Sequence, residues 1–240
     1  MTMQAPAWDS IQAILFDLDG TLIMASNRWP LRLAARLAPL RRTFPALDTE
    51  GMGRAIFGAI ESPANYALSL LEHLHVDTSF WGLADRLRRS KGLAARGEEA
   101  WLDGARDLVR ALAARYPLAV VTTRARKEAM AFIQEAGLAD AFVAVITRQD
   151  VWRMKPHPEP VRKAALLLGV PVGHCLMVGD TVMDIAAARR AGAWAVGVLS
   201  GLGEQRELAR AGAHLILSSV EKLYDYLPES QTERPPEQMA

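Results

Sequence analysis

The chain has 240 residues, of which 50% are hydrophobic and 23% are charged, a composition typical of a globular protein with one or two domains. Its net charge of +1 argues against a generally basic nucleic-acid-binding protein. The single cysteine, Cys175, excludes an internal disulfide framework and a cysteine-rich metal site, and it suits a reducing cytoplasm. Since no apolar run approaches the ~18 residues that span a bilayer and no secretory signal precedes Ser10, we expect a cytoplasmic protein.

The first predicted strand is Ala13 to Phe16, a short apolar run that ends abruptly at acidic residues. From Asn27 to roughly Leu93 the apolar residues recur instead at helical spacing, and no strand signal interrupts them. Ser62-Pro63 is typical of a helix start, with a capping side chain followed by proline in the first turn. We therefore predict a helical block inserted after the first strand.

From Trp101 onward, predicted helices alternate with short apolar strands, which favours a parallel sheet covered by helices on both faces. The polar, proline-rich residues after Leu227 predict a disordered tail. The predicted elements are helix Ala105 to Arg115, strand Leu118 to Val121, helix Lys127 to Ala136, strand Phe142 to Ile146, helix Glu159 to Leu168, strand Cys175 to Val178, helix Met183 to Ala191, strand Trp194 to Val198, strand His214 to Leu217 and a short final helix.

Together these elements predict an α/β protein with two units. The first is a Rossmann-like core domain with a parallel sheet, made of residues 11–23 and 98–227. The second is an all-α domain of residues 24–97 that is inserted into the core. Residues 1–10 and 228–240 are predicted to be disordered termini.

Polar segments follow the predicted strands at four places, and open parallel sheets bind ligands along that edge. Carboxylates that converge there repel each other unless a cation lies among them, and hard oxygen ligands suit Mg²⁺, which often also binds substrate phosphate. An ionised aspartate can act as a nucleophile, and a second carboxyl as acid and base. The residues alone indicate metal-assisted phosphoryl transfer by Asp17-Leu18-Asp19-Gly20-Thr21, Thr122-Thr123, Lys155-Pro156 and Gly179-Asp180-Thr181 with Asp184.

At these positions the chain resembles the haloacid dehalogenase (HAD) superfamily of phosphohydrolases, and within it the phosphoglycolate phosphatase-like members. The resemblance covers roughly residues 13–201, and the four motifs occur in family order. The matching segments are Asp17-Leu18-Asp19-Gly20-Thr21-Leu22 for DxDGT, Val120-Val121-Thr122 for the strand that ends in Thr or Ser, Lys155-Pro156-His157-Pro158 for KPxP, and Gly179-Asp180-Thr181 with Asp184 for GDxxxD.

The resemblance implies a role for each matched residue. Asp17 would be the nucleophile, Asp19 the general acid and base, and Lys155 would neutralise charge at the nucleophile and the phosphate. The phosphate would be held by Thr122, Thr123 and Gly20, and Mg²⁺ by Asp17, Asp180, Asp184 and the backbone carbonyl of Asp19. For Arg124, which follows the second motif, a substrate contact and a surface role both stay open.

The family also places an α-helical cap between its first and second motifs, where this chain has its predicted helical block. A cap can close over the substrate and supply specificity contacts. The resemblance implies a Mg²⁺-dependent phosphatase that hydrolyses a small phosphate monoester through a phospho-aspartate. A β-phosphoglucomutase-like phosphomutase and a non-catalytic phosphate-binding regulator remain as alternatives. The implied partner is a small phosphorylated metabolite, without nucleic acid or membrane, and the protein would be a monomer or homodimer.

Overall fold

The structure is a computed structural model, and it describes residues 8–24 and 100–227. The predicted cap of residues 24–97, apart from its first residue, lies outside the described residues, as does the predicted disordered tail. Both therefore stay predictions. None of the helices in the described ranges has the length and hydrophobicity that crossing a bilayer requires.

One parallel sheet of six strands forms the centre of the described fold, as the alternation of strands and helices predicted. The strands are β1 (Ala13–Phe16), β2 (Leu118–Val121), β3 (Ala144–Ile146), β4 (Cys175–Gly179), β5 (Trp194–Val198) and β6 (Leu215–Leu217). Their order across the sheet is β3-β2-β1-β4-β5-β6. The chain thus starts in the middle, builds outward through β2 and β3, and crosses back to β4, which creates a crevice at the carboxyl ends of β1, β2 and β4.

Five α-helices cover the two faces of this sheet in the described part of the chain. They are α1 (Ala105–Ala113), α2 (Arg126–Glu135), α3 (Glu159–Leu168), α4 (Val182–Ala191) and α5 (Gln205–Ala211). Successive strand residues point to opposite faces, so Ile14 and Phe16 pack with α1 and α2, while Ala13 and Leu15 pack with α3 and α4. Burial on both faces explains why the strand sequences are continuous apolar runs rather than alternating ones.

The predicted elements that fall within the described residues are confirmed, with boundaries that shift by at most two residues. The predicted helix ending at Arg115 ends at Ala113, because the amides of Arg115 and Tyr116 both turn back to the carbonyl of Leu112. The predicted strand from Phe142 begins only at Ala144. These shifts are what fraying ends produce, since the terminal hydrogen bonds rather than the apolar pattern decide where an element stops.

The prediction of a disordered N-terminus is wrong at its last three residues. Trp8–Ser10 form a short 3-10 helix, and the Trp8 ring lies 5.5 Å from that of Tyr226, centroid to centroid. Trp8 also packs against the hydrophobic core. A large aromatic side chain removes enough apolar surface from water to order a short terminal segment.

The chain leaves and re-enters the core at two adjacent points. Ile23 bridges to Trp101 in antiparallel fashion, the Met24 amide donates to the Ala100 carbonyl at 2.8 Å, and the Leu102 amide donates to Leu22 at 2.9 Å. The two ends of the segment 25–99 are therefore held side by side, next to the carboxyl end of β1.

Candidate active site

The register of the sheet brings the first, second and fourth sequence motifs to one edge. Phe16 of β1 pairs with Val120 of β2 on one side and with Val178 of β4 on the other. Because the strands are parallel, the residues that follow them all emerge at the same carboxyl edge. Asp17 and Asp180 are accordingly neighbours although they are far apart in the sequence.

Three buried carboxylates form the centre of the site. Asp17, Asp180 and Asp184 each place a carboxylate oxygen within 4.8 Å of the others. Lys155 lies among them: its Nζ donates to Asp17 Oδ1 at 2.7 Å, to Asp184 Oδ1 at 2.5 Å and to the Val121 carbonyl at 3.0 Å. One ammonium thus faces three acidic side chains, so the cluster favours a further positive charge.

Burial dominates the electrostatics of this cluster. It raises the pKa of Asp17 to about 7; the ammonium of Lys155 opposes that rise, and the carboxylates of Asp184 and Asp19 add to it. Burial also raises the pKa of Asp180 well above its usual range. For Lys155 burial acts to lower the pKa, but Asp17 and Asp184 outweigh it and raise the pKa above the ordinary value, so the side chain stays charged.

The donor set fits a hard divalent cation. Asp180 Oδ2 accepts the Leu202 amide at 2.8 Å, whereas its buried Oδ1 has no hydrogen-bond partner among the described residues. A buried carboxylate oxygen without a partner is costly, and a cation that takes only oxygen ligands removes the cost. The site therefore could bind Mg²⁺ or a similar ion.

Adding Mg²⁺ is expected to raise the Tm more at pH 8 than at pH 6. The pKa of Asp17 is near 3.8 in the unfolded chain and about 7 in the metal-free folded protein. At pH values between these two, the folded protein holds a proton on Asp17 that the unfolded chain has released. The contribution of Asp17 to stability therefore falls as the pH rises through that range. The cation competes with that proton. At about 100 times Kd the gain at pH 8 is ~2.7 kcal/mol, or roughly 5–10 °C for a chain of this size.

Differential scanning fluorimetry at the two pH values, with and without Mg²⁺, measures this difference. Asp180→Asn is the informative variant, because it removes one carboxylate charge but keeps the acceptor for the Leu202 amide. Its Mg²⁺-dependent shift should be largely lost. Equal shifts at both pH values would contradict the proton competition.

Three glycines let the backbone approach Asp180 and Asp184 closely. A Cβ built on Gly20 or Gly201 would collide with the Asp180 carboxylate, and one on Gly179 would collide with the Asp184 side chain. Gly20 also has a φ of +74°, a conformation that L side chains rarely adopt. These positions need glycine because backbone approaches the acids directly.

The backbone amide of Gly20 is engaged within the turn after Asp19, and the predicted role of Gly20 in holding phosphate stays a prediction. That amide donates to the Ile23 carbonyl at 2.8 Å, and the Gly20 carbonyl accepts the Ser200 hydroxyl at 2.7 Å. The Gly20 N–H is thus hydrogen-bonded within the tight turn that follows Asp19. Gly20 therefore serves the site through the turn and its close approach to Asp180.

Thr122 and Thr123 directly follow β2 and lie near the nucleophile candidate Asp17. Thr122 is fully buried, and its Oγ1 accepts the backbone amide of Arg124 at 3.2 Å. Thr123 is half-buried at the edge of the sheet. Since β2 is a parallel neighbour of β1, the two threonines emerge at the same edge as Asp17, where the second motif is expected to act.

Asp184 is held from two directions. Its Oδ1 accepts Lys155 Nζ, and its Oδ2 accepts the Thr181 amide at 3.0 Å and the Thr181 hydroxyl at 2.5 Å. Thr181 in turn caps the start of α4 through a reciprocal capping box with Asp184. The GDxxxD motif thus fixes a helix start and orients the lysine at the same time.

Arg124 lies within the site rather than on the surface, and the substrate contact that the sequence left open remains a prediction. Its side chain is 13% exposed, and its guanidinium forms a two-point ion pair with Asp19, with Nε 2.7 Å from Oδ2 and Nη2 on Oδ1. The guanidinium carbon also lies 4.8 Å from the centroid of the Phe132 ring.

Sequence reasoning also missed the loop after β5. Leu202 donates its amide to Asp180, and Ser200 donates its hydroxyl to Gly20. The signal was present, because Ser200-Gly201-Leu202-Gly203 follows a predicted strand and so emerges at the same edge as the motifs. This loop closes the side of the site beside Asp180.

The comparison with protein families now decides the assignment. The model of haloacid dehalogenase-like hydrolases matches residues 11–192. The chain belongs to this family. Together with the curated relatives described next, this match identifies the protein as a hydrolase of the phosphatase type.

Curated relatives match this HAD hydrolase over nearly its whole length. The phosphoglycolate phosphatase of Chromobacterium violaceum is 30% identical over 222 residues, covering 90% of this chain and 96% of that protein. Pyrophosphatase PpaX of Anoxybacillus flavithermus is 29% identical over 237 residues, covering 91% of this chain and 97% of that protein.

Solved structures show the same fold. A HAD family hydrolase from Deinococcus radiodurans, solved with bound phosphate and sodium, is 25% identical with a TM-score of 0.60 and covers 89% of this chain and 93% of its own. A haloacid dehalogenase-like hydrolase from Streptococcus pneumoniae has a TM-score of 0.64 at 22% identity and covers 92% of this chain and 100% of its own. The second similarity concerns the fold alone.

Proposed function

We propose that this HAD phosphatase is Mg²⁺-dependent and hydrolyses a small phosphate monoester of the phosphoglycolate type through a phospho-aspartate on Asp17. The observation that carries the proposal is the buried contact between Asp17 and Lys155 beside the unpaired oxygen of Asp180. A buried carboxylate with a fixed ammonium partner and room for a cation is arranged to receive a phosphoryl group, because each positive charge offsets negative charge on the phosphoryl oxygens.

In the proposed reaction Asp17 attacks phosphorus, so that an aspartyl O–P bond forms and the ester P–O bond breaks. Asp19 gives its proton to the leaving oxygen as the alcohol departs. Asp19 then takes a proton from the attacking water, which cleaves the acyl-phosphate and releases inorganic phosphate. Thr122 and the amide of Thr123 hold the phosphoryl oxygens at the end of β2, and Lys155 stays charged throughout.

We propose Asp17, Asp180 and the carbonyl of Asp19 as the groups that hold the ion. The two oxygens of Asp184 already accept hydrogen bonds from Lys155 and Thr181, which supports a positioning role for this carboxylate. When bound, Mg²⁺ would supply charge neutralisation between the carboxylates and the substrate phosphate.

The test is a phosphate-release screen over small phosphate esters, with Mg²⁺ and with chelator. We expect metal-dependent release that concentrates on a small subset of esters, with phosphoglycolate among them. Silence over the whole panel would contradict a phosphatase of this specificity. Transfer between two positions of a sugar phosphate without net phosphate release would support the phosphomutase alternative, and binding without turnover would support the regulator.

A further inference from the structure

The pairing of Arg124 with Asp19 stands out because Asp19 is the proposed proton donor. The guanidinium contacts both carboxylate oxygens, which is the fork geometry that arginine offers to any carboxylate or phosphate. While both contacts hold, the carboxylate is turned towards Arg124. For an oxygen of Asp19 to give a proton to the leaving group, at least one of its two contacts with the guanidinium has to break.

Arg124 itself is held in place by contacts that do not involve Asp19. Its backbone amide donates to Thr122 Oγ1 at 3.2 Å, and its guanidinium packs over the Phe132 ring at 4.8 Å. Its side chain is 13% exposed against 33% for Asp19. When the pair opens, the more exposed aspartate is the partner free to rotate, and the guanidinium stays as a fixed cationic fork at the edge of the site.

We propose that Arg124 is a specificity-determining residue that binds a second anionic group of the substrate, a carboxylate or a phosphate attached close to the ester oxygen. This group replaces Asp19 on the guanidinium and so releases the aspartate towards the leaving oxygen. The inference rests on the proposed function for one point, the position of the leaving group next to Asp19. Because Arg124 contacts Asp19, a leaving oxygen within hydrogen-bond reach of Asp19 lies close to the guanidinium. An anionic group one or two covalent bonds from that oxygen is therefore near enough to bind Arg124.

Two pairs of phosphate compounds, in each of which only one member carries the second anionic group, test this inference. Phosphoglycolate is compared with ethyl phosphate, and inorganic pyrophosphate with methyl phosphate. The variants are Arg124→Ala and Arg124→Lys, with Arg126→Ala as the matched control. Arg126 is two residues along, but it pairs with Asp150 and the Val145 carbonyl, outside the site.

In the wild type, kcat/KM should favour, in at least one pair, the member that carries the second anionic group. Arg124→Ala should lower kcat/KM for that ester by about 30- to 100-fold, mainly through KM, as expected for losing a charge-assisted two-point contact. The partner without the second anionic group should change by no more than ~3-fold. Arg124→Lys should retain part of the preference, because it keeps the charge but loses the fork, and Arg126→Ala should retain all of it.

An equal loss on both members of a pair would overturn the inference, since a merely structural role moves both. A wild type without preference in either pair would overturn it as well. Calorimetric binding of the same esters to Asp17→Asn, with and without Arg124→Ala, separates this result from the proposed function. The wild type could fail to hydrolyse any of these compounds while phosphoglycolate or pyrophosphate still binds in an Arg124-dependent way. In that case the proposed function fails and the anion site stands.

Discussion

Replacing Asp17 by asparagine is expected to lower kcat for phosphate-ester hydrolysis by at least ~10⁴-fold, the scale on which loss of a nucleophile acts. The amide has nearly the same shape as the carboxylate, so the side chain can still occupy the buried position beside Lys155. It cannot form an acyl-phosphate, because the neutral oxygen is a poor nucleophile. The effect should therefore appear in kcat, with KM changed much less.

Steady-state phosphate release by wild type and variant measures the loss, and circular dichroism establishes that the variant is folded. Asp107→Asn is the matched control, because Asp107 lies on α1 with its side chain 88% exposed and should leave kcat unchanged. Trapping the acyl-phosphate with hydroxylamine should label wild-type protein only. A variant that keeps a tenth of the wild-type rate would show that the phosphoryl group is transferred elsewhere.

Replacing Lys155 by methionine is expected to abolish turnover and to cost about 3–5 kcal/mol of unfolding free energy, as breaking a buried ion pair does. The lysine side chain is 3% exposed and its Nζ serves Asp17, Asp184 and the Val121 carbonyl together. Methionine fills a similar volume, so the loss reports charge and hydrogen bonding more than packing. The two carboxylates are then left buried without their shared partner.

The destabilisation should be larger at pH 8 than at pH 5. Without the ammonium, which lowers the pKa of Asp17, that folded-state pKa rises further, so at pH 5 this carboxyl escapes the penalty by taking up a proton. As the pH rises, the unfolded chain releases this proton before the folded state does, and stability is lost. Mg²⁺ should restore part of it at pH 8 by supplying the missing charge.

Urea unfolding at the two pH values, with and without Mg²⁺, measures this dependence. Lys127→Met on the exposed side of α2 is the control and should change stability by less than ~0.5 kcal/mol. A loss below ~1 kcal/mol at pH 8 for Lys155→Met would contradict the view that this ammonium compensates the buried acids.

The sheet was predictable because buried parallel strands leave a strong sequence signal. Each strand is a short, uninterrupted apolar run, and Ala13–Phe16, Leu118–Val121 and Trp194–Val198 match their predicted bounds. The positions of the acids followed from the same logic, since residues after parallel strands share an edge. Motif order then named Asp17, Lys155, Asp180 and Asp184, which the structure brings together.

The contacts between distant side chains could not be predicted in the same way. Arg124 and Asp19 are 105 residues apart, and their pairing depends on rotamers and on how β1 and β2 are aligned. The amide of Leu202 reaches Asp180 only because the loop after β5 folds back over it. The hydrogen bond of the Gly20 amide could not be predicted either, because the motif indicates a turn but not which groups its backbone amides contact.

The two adjacent crossing points at Met24 and Ala100 make the inserted segment modular. Its ends are clamped together by the core, and the entropy of closing a loop grows only slowly with loop length. The stretch between them can therefore be lengthened, shortened or exchanged in evolution at little cost to the sheet, while the strands keep the carboxylates in register. A graft of the segment from a relative would thus join at two residues that are already neighbours.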